Sequence, residues 1–213
     1  MSHPDADVID LLAGIRPGDP LDTVRSRRSQ ARENAQRSFQ ALLEPEHPGG
    51  FPLAERYAVA AFVAGLHGFD AAADFYRDLL GDEAPQWREP IDAAVKDGAT
   101  RGPYGGYREP GLQGEGRDGL RWQPGGAVAG ALGGHLAAAL THAHLLVFRP
   151  REARPDALRA LVAAGWSGDA IVTLSQLVAF LSFQLRFAWG LRVLAATPAS
   201  SSPAAPAIEG ALR

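Results

Sequence analysis

The stretch from Arg154 to Ala195 constrains this chain most. It reads Arg-Pro-Asp-Ala-Leu-Arg-Ala-Leu-Val-Ala-Ala-Gly-Trp-Ser-Gly-Asp-Ala-Ile-Val and then continues as a nearly unbroken apolar run. Pro155 suits the first position of a helix, where its missing N–H has no partner to lose. Gly165 suits the left-handed position that ends that helix, and Trp166 folds back onto it. Ser167 then caps a second, long helix, with Asp169 in its positively polarised first turn. A link this short predicts two antiparallel helices, the second buried on most sides.

The run over 170–195 is long enough to span a bilayer. It also carries Gln176, Gln184, Arg186 and Arg192. An arginine near the centre of a bilayer costs about 2.5–3.5 kcal/mol, so the expectation is a core helix and no membrane partner. The net charge of −3 points to no nucleic acid and to no anionic surface. Residues 1–10 lack the basic start and apolar segment of a secretory signal, and a cytoplasmic location is expected. The chain has no cysteine, which excludes disulfides, thiolate metal ligands and thiol redox chemistry.

Helical signals dominate elsewhere, and no sustained alternation marks a strand. The expected fold is all-α, built from two helical halves with a long Gly-rich loop between them. Residues 1–18 form an N-terminal segment with a short helix over 5–14. The helical domain runs over 19–196. Asp19-Pro20 opens a helix over 20–43 whose apolar face is Val24, Ala31, Ala35, Phe39 and Leu42, while Arg25, Arg28 and Arg32 make a solvated basic stripe. After the break at 46–50 a helix over 53–66 is apolar nearly all round and therefore central. Asp70 is expected to cap a helix over 71–80 that Gly81 stops, and another follows over 86–97. The loop over 99–127 carries Tyr104, Tyr107 and Trp122, which favour ordering against a surface, a neighbouring subunit among the candidates. A helix over 127–147 follows it. Residues 197–213, rich in Pro, Ala and Ser, read as a disordered tail.

Candidate chemistry is sparse. His135, His142 and His144 fall on one helix without a His-Glu-x-x-His arrangement or nearby carboxylates, so no metal and no cofactor is expected. Gly102-Pro-Tyr-Gly-Gly106 lacks the Gly-Lys-Ser/Thr of a phosphate loop, and Ser167 lacks a nucleophile elbow. Glu55, Arg56, Tyr57, His67 and Tyr76 cluster around the central helix and the turn after it. On the last helix Ser175, Ala179, Ser182, Arg186 and Gly190 form one narrow stripe of small and polar residues, which signals close helix approach or a lined cavity. A buried Arg186 needs an anionic or carbonyl partner, and Glu55 is the expected one.

These residues carry a resemblance. Leu158-x-x-Leu-x-x-Ala-Gly-Trp-Ser-x-x-Ala-Ile-Val, followed by Phe180-x-x-Phe-x-x-Arg186-x-x-x-Gly190-Leu191, resembles the C-terminal half of the AhpD-like, or carboxymuconolactone decarboxylase (CMD), superfamily. The closest likeness is to its two-repeat peroxidase-related members. Pro52-Leu-Ala-Glu-Arg-Tyr-Ala-Val-Ala-Ala to Leu66-His-Gly-Phe-Asp resembles the catalytic helix of that family and its following turn. The resemblance implies a homo-oligomer (dimer, trimer or hexamer) and, in active members, a Cys-x-x-Cys turn with a histidine four residues on and a glutamate after an arginine. Phe69 and Ala72 stand at the two cysteine positions, Tyr76 at the histidine and Tyr57 at the glutamate. A disulfide-cycling peroxidase cannot run without a thiol.

The expected function is therefore a non-catalytic oligomeric protein that binds a small molecule or pairs with a catalytic relative. The alternative is a thiol-free acid–base enzyme of the carboxymuconolactone decarboxylase type. There His67 would be the base, Tyr57 or Tyr76 a hydrogen-bond donor, and Arg56 or Arg186 the anchor for an anionic substrate.

Overall fold

A computed structural model describes residues 7–197; residues 1–6 of the expected N-terminal segment and all of the expected tail beyond Thr197 lie outside the described residues. The fold is all-α. Nine helices follow one another among the described residues: α1 (Val8–Ala13), α2 (Pro20–Ser26), α3 (Ser29–Leu43), α4 (Leu53–His67), α5 (Asp70–Glu83), α6 (Arg88–Gly98), α7 (Gly126–Phe148), α8 (Pro155–Ala163) and α9 (Gly168–Ala196). Short 3-10 turns precede α6 and α8, and one lies in the long loop at Pro110–Glu115. The nearest approach to a strand among the described residues is one isolated bridge, Gly105 to Arg117.

The centre is α4, which packs against α5, α6, α7 and α9. Every residue from Ala58 to Ala64 is fully buried, as its all-round apolar sequence requires. One continuous core runs from Val8 in α1 to Leu191 in α9. The corner after α8 forms as its residues dictate. Pro155 opens α8, and Gly165 takes a φ of 93°. Trp166 N–H returns to the Leu161 carbonyl at 3.1 Å, and Ser167 Oγ accepts from Ala170 N at 3.2 Å. Trp166 itself is buried, edge-on to Phe51 at 5.0 Å and stacked on His135 at 4.4 Å.

Five expectations are corrected. The helix expected over 20–43 is two helices, because Arg28 leaves the helical conformation (φ −125°, ψ 53°). The break lets Arg25 and Arg32 converge on α1. Arg25 Nη1 binds Asp7 at 2.7 Å and also Asp10, and Arg32 binds Asp10 and, at 3.0 Å, Asp22. Arg25 is therefore buried rather than part of a solvated stripe, while Val24 is exposed and Leu43, not Leu42, is fully buried. Asp70 does not cap α5: Phe69 holds the cap position without a side-chain hydrogen bond, and Asp70 is the first helical residue. Gly81 does not end α5 either. It stays helical, and its missing side chain leaves room for Arg88, whose Cδ would stand 3.0 Å from a Cβ there.

The long loop folds onto its own chain. Trp122 stacks on Phe62 at 5.0 Å and donates from Nε1 to Asp97 at 2.7 Å. Arg149 donates to the Gly119 carbonyl at 2.7 Å and to Glu152 at 2.6 Å. These hydrogen bonds from Arg149 first, and those from Arg121 after them, hold the Glu152 carboxyl down at about 2. The α7 helix bends at Gly133, whose φ of 80° and ψ of 156° interrupt it. Both α7 and α9 are long and apolar enough to cross a membrane by length and composition, and about half of each apolar window is buried inside the fold.

Candidate functional site

A cavity of ≈ 870 Å³ opens between the C-terminal ends of α4 and α7, the start of the long loop and one side of α9. Its size falls within the range of small-molecule sites. Four members of the predicted α9 stripe, Ser175, Ala179, Ser182 and Arg186, line it. The small side chains of Ser175, Ala179 and Ser182 leave the space that the flanking Leu and Phe residues would fill. Leu66, Val147, Phe148 and Val178 supply apolar wall.

The charges in the wall are one-sided. Arg101, Arg151 and Arg186 all line the cavity, and no aspartate or glutamate does. Among the described residues none of the three arginines is in an ion pair. Arg151 instead lies over the Tyr107 ring, 3.8 Å from its centroid, and donates to the Tyr107 hydroxyl. His67, the last residue of α4, contributes its imidazole, with Nε2 3.4 Å from Ser182 Oγ. Burial first, and the Arg186 charge second, pull the His67 pKa from 6.5 to about 4. The ring is thus neutral at physiological pH. Because its folded value lies below the unfolded one, it costs stability as pH falls from 6.5 towards 4, where the unfolded chain takes up a proton first.

The other expected site residues go elsewhere. Arg56 is buried and donates to three backbone carbonyls: Phe51 at 2.6 Å, Leu42 at 2.6 Å and Pro48 at 3.1 Å. It ties the loop before α4 to the end of α3 and cannot anchor a substrate. Tyr76 is fully buried and donates its hydroxyl to Gln184 Oε1, and burial raises its pKa. Tyr57 is also buried, which raises its pKa, and Glu44 and Glu83 add to the shift. Neither phenol lines the cavity. Phe69 packs edge-on to Trp189 at 5.5 Å, with Arg192 over its face, and Ala72 is fully buried.

The expected pair of Glu55 with Arg186 is not formed. Glu55 faces His135 instead, Oε2 to Nε2 3.5 Å apart, with burial raising the Glu55 pKa against the pull of His135. Helix geometry explains the difference. Glu55 lies in the first turn of α4 and His67 at its end, so the two occupy opposite ends of the helix, and Arg186 lies at the His67 end. His142 and His144 are both buried. His144 Nε2 contacts the Gly98 carbonyl at 3.0 Å, and His142 Nε2 lies 3.4 Å from Ser175 Oγ. Among the described residues no group of His, Cys, Asp and Glu could hold a metal ion.

Sequence reasoning missed Arg101 and Arg151. One sits in the loop before a proline and the other in a 3-10 turn, where no periodicity marks the facing direction of a side chain. The one available signal was the absence of an acidic neighbour at 100–104. Comparison with protein-family models, with curated proteins and with solved structures gives no match.

Proposed function

We propose that this chain is an oligomeric, non-catalytic small-molecule-binding protein on an AhpD-like scaffold that lacks the thiol redox site. Its ligand is a small organic anion with more than one acidic group on an apolar frame. The observation that carries the reading is the cavity wall, with three arginines, no carboxylate and a neutral imidazole. A guanidinium recognises carboxylate and phosphate through paired N–H groups and stays charged at any working pH. Ser182 and neutral His67 add hydrogen-bonding groups without adding charge. The sequence likeness to the AhpD-like superfamily supports the scaffold and the oligomer.

Phthalate is a suitable probe because it combines two carboxylates with an apolar ring. Titration calorimetry is expected to show phthalate binding more tightly than benzoate. Arg186→Gln is expected to weaken phthalate binding at least tenfold, the loss of about one charged hydrogen bond. The bound anion will also stabilise the imidazolium form, so the His67 midpoint, followed by NMR, moves up from about 4. Affinities unchanged by Arg186→Gln would refute the site.

The alternative, a thiol-free acid–base enzyme, has one supporting observation: His67 reaches the cavity beside Ser182 and Arg186. A base with a pKa near 4 is poorly matched to proton transfer at neutral pH, so this reading depends on a substrate anion raising it. Thiol peroxidase chemistry is a separate matter. With no cysteine in the chain, an organic hydroperoxide with a dithiol is expected to turn over at the background rate, and turnover above background would contradict the redox assignment.

A further inference from the structure

We infer that α9 is a docking surface for a second copy of this chain, and that the two α9 helices pair antiparallel with a register centred near Leu181. The buried sides of α9 face α1, α3, α4 and α7. Its remaining side is unusual for a solvated face. Gly168, Val172, Gln176, Ala179, Phe183, Arg186, Gly190 and Leu194 are all exposed. Their spacing places them within an arc of about 80° on the helix. Phe183 and Leu194 are each more than half exposed, and Phe187 and Val193 flank them at 42% and 50%.

The residues on this arc complement their own reversed copy. In the antiparallel register Val172 meets Gly190, Ala179 meets Phe183, and Gly168 meets Leu194. Each large side chain thus faces a small one, as interdigitated packing requires. Gln176 meets Arg186, so its side-chain oxygen reaches the guanidinium of the other copy. A parallel pair would set Arg186 against Arg186 and Gly190 against Gly190, giving repulsion at one level and a void at another. A membrane is the poorer occupant because Gln176 and Arg186 lie at mid-length on this exposed face, one on each side of it, where lipid would leave them unpaired.

The area is also adequate. The exposed apolar side chains of α9 leave on the order of 500 Å² per copy, and the small and polar members of the arc extend this towards the roughly 800 Å² a side of a standard interface. The arc adjoins the arginine-lined cavity, since Ala179 and Arg186 belong to both. The second α9 therefore stands at the cavity mouth and brings its Gln176 to Arg186. That consequence for ligand binding rests on the proposed function, whereas the pairing rests on the α9 face alone.

The full chain is expected to sediment at micromolar concentration as a dimer, near twice 22.5 kDa. Phe183→Asp should halve that mass with unchanged helicity. The register is tested by disulfide trapping in this cysteine-free background. The double variant Val172→Cys/Gly190→Cys should oxidise to a covalent dimer, while each single variant should not. The two introduced thiols lie about 27 Å apart along one helix, so they cannot close within a chain, and a side chain at Gly190 meets open space. A monomeric wild-type chain would overturn the pairing, and trapping by Val172→Cys alone would overturn the antiparallel register. No readout involves a ligand, so an empty cavity and a missing dimer are separate outcomes.

Discussion

Replacing Arg25 with methionine is expected to cost the fold about 3–5 kcal/mol, the range for removing one partner of a buried charge pair. Arg25 holds Asp7 and Asp10 at the start of α1 with its guanidinium almost wholly buried. Methionine keeps the apolar stem near Phe187, where the guanidinium carbon stands 6.0 Å from the ring centroid. The loss is therefore electrostatic rather than one of volume. Arg32 remains on Asp10 and retains part of the neutralisation. Arg25→Lys should recover less than half of the loss, because a single ammonium cannot reproduce the paired donors. The defect should shrink as pH falls, because protonation relieves the unpaired Asp10, whose carboxyl burial already pushes above its ordinary value against the pull of Arg25. Urea unfolding of wild type and variant at two pH values measures this. A cost under about 1 kcal/mol, or one that does not change with pH, would contradict the buried-pair account.

The second large effect is at the corner before α9. Trp166→Ala is expected to destabilise by about 3–5 kcal/mol, as for other buried aromatic truncations. Trp166 is 2% exposed. It fills the space between Phe51 and His135 and donates from Nε1 to the His135 carbonyl at 2.9 Å. Trp166→Phe keeps most of the ring and loses the donor, so about 1–2 kcal/mol is expected from the hydrogen bond and the smaller area together. Denaturant midpoints compared across the two variants separate packing from hydrogen bonding. Equal losses would show that the ring itself contributes little.

The same corner shows what the sequence could reveal. Pro155, Gly165, Ser167 and Asp169 act within a few residues of themselves, through φ restriction, a left-handed turn, a side-chain cap and a helix dipole. Local chemistry of this kind is readable in one dimension, and the corner forms as expected. The central position of α4 was readable for a related reason, since a helix apolar all round has no face to give to water.

The break at Arg27 and Arg28 was not readable. Neither glycine nor proline marks it, and the contacts it permits, Arg25 and Arg32 on Asp10 of α1, join residues distant in sequence. Gly81 misled for the converse reason. A glycine reads as a stop, yet this one stays helical beside the side chain of Arg88.

The candidate site was half legible. The stripe of Ser175, Ala179, Ser182 and Arg186 predicted a cavity or close approach, and a cavity is there. The identity of its opposite wall was not accessible. Arg101 and Arg151 come from irregular segments brought together only by the path of the loop. The expected cluster of Glu55, Arg56, Tyr57, His67 and Tyr76 disperses because proximity in sequence along a helix is not proximity on one face. Only His67 of those five reaches the cavity.

That the arginine-lined cavity holds an organic anion is the proposal on which the ligand-binding predictions depend. Its most direct measurement is calorimetric titration of phthalate into the wild-type chain and into Arg186→Gln. A saturable site in the wild type, weakened at least tenfold in the variant, is the predicted result. Equal affinity in both chains, or no saturable binding to the wild type, would contradict it.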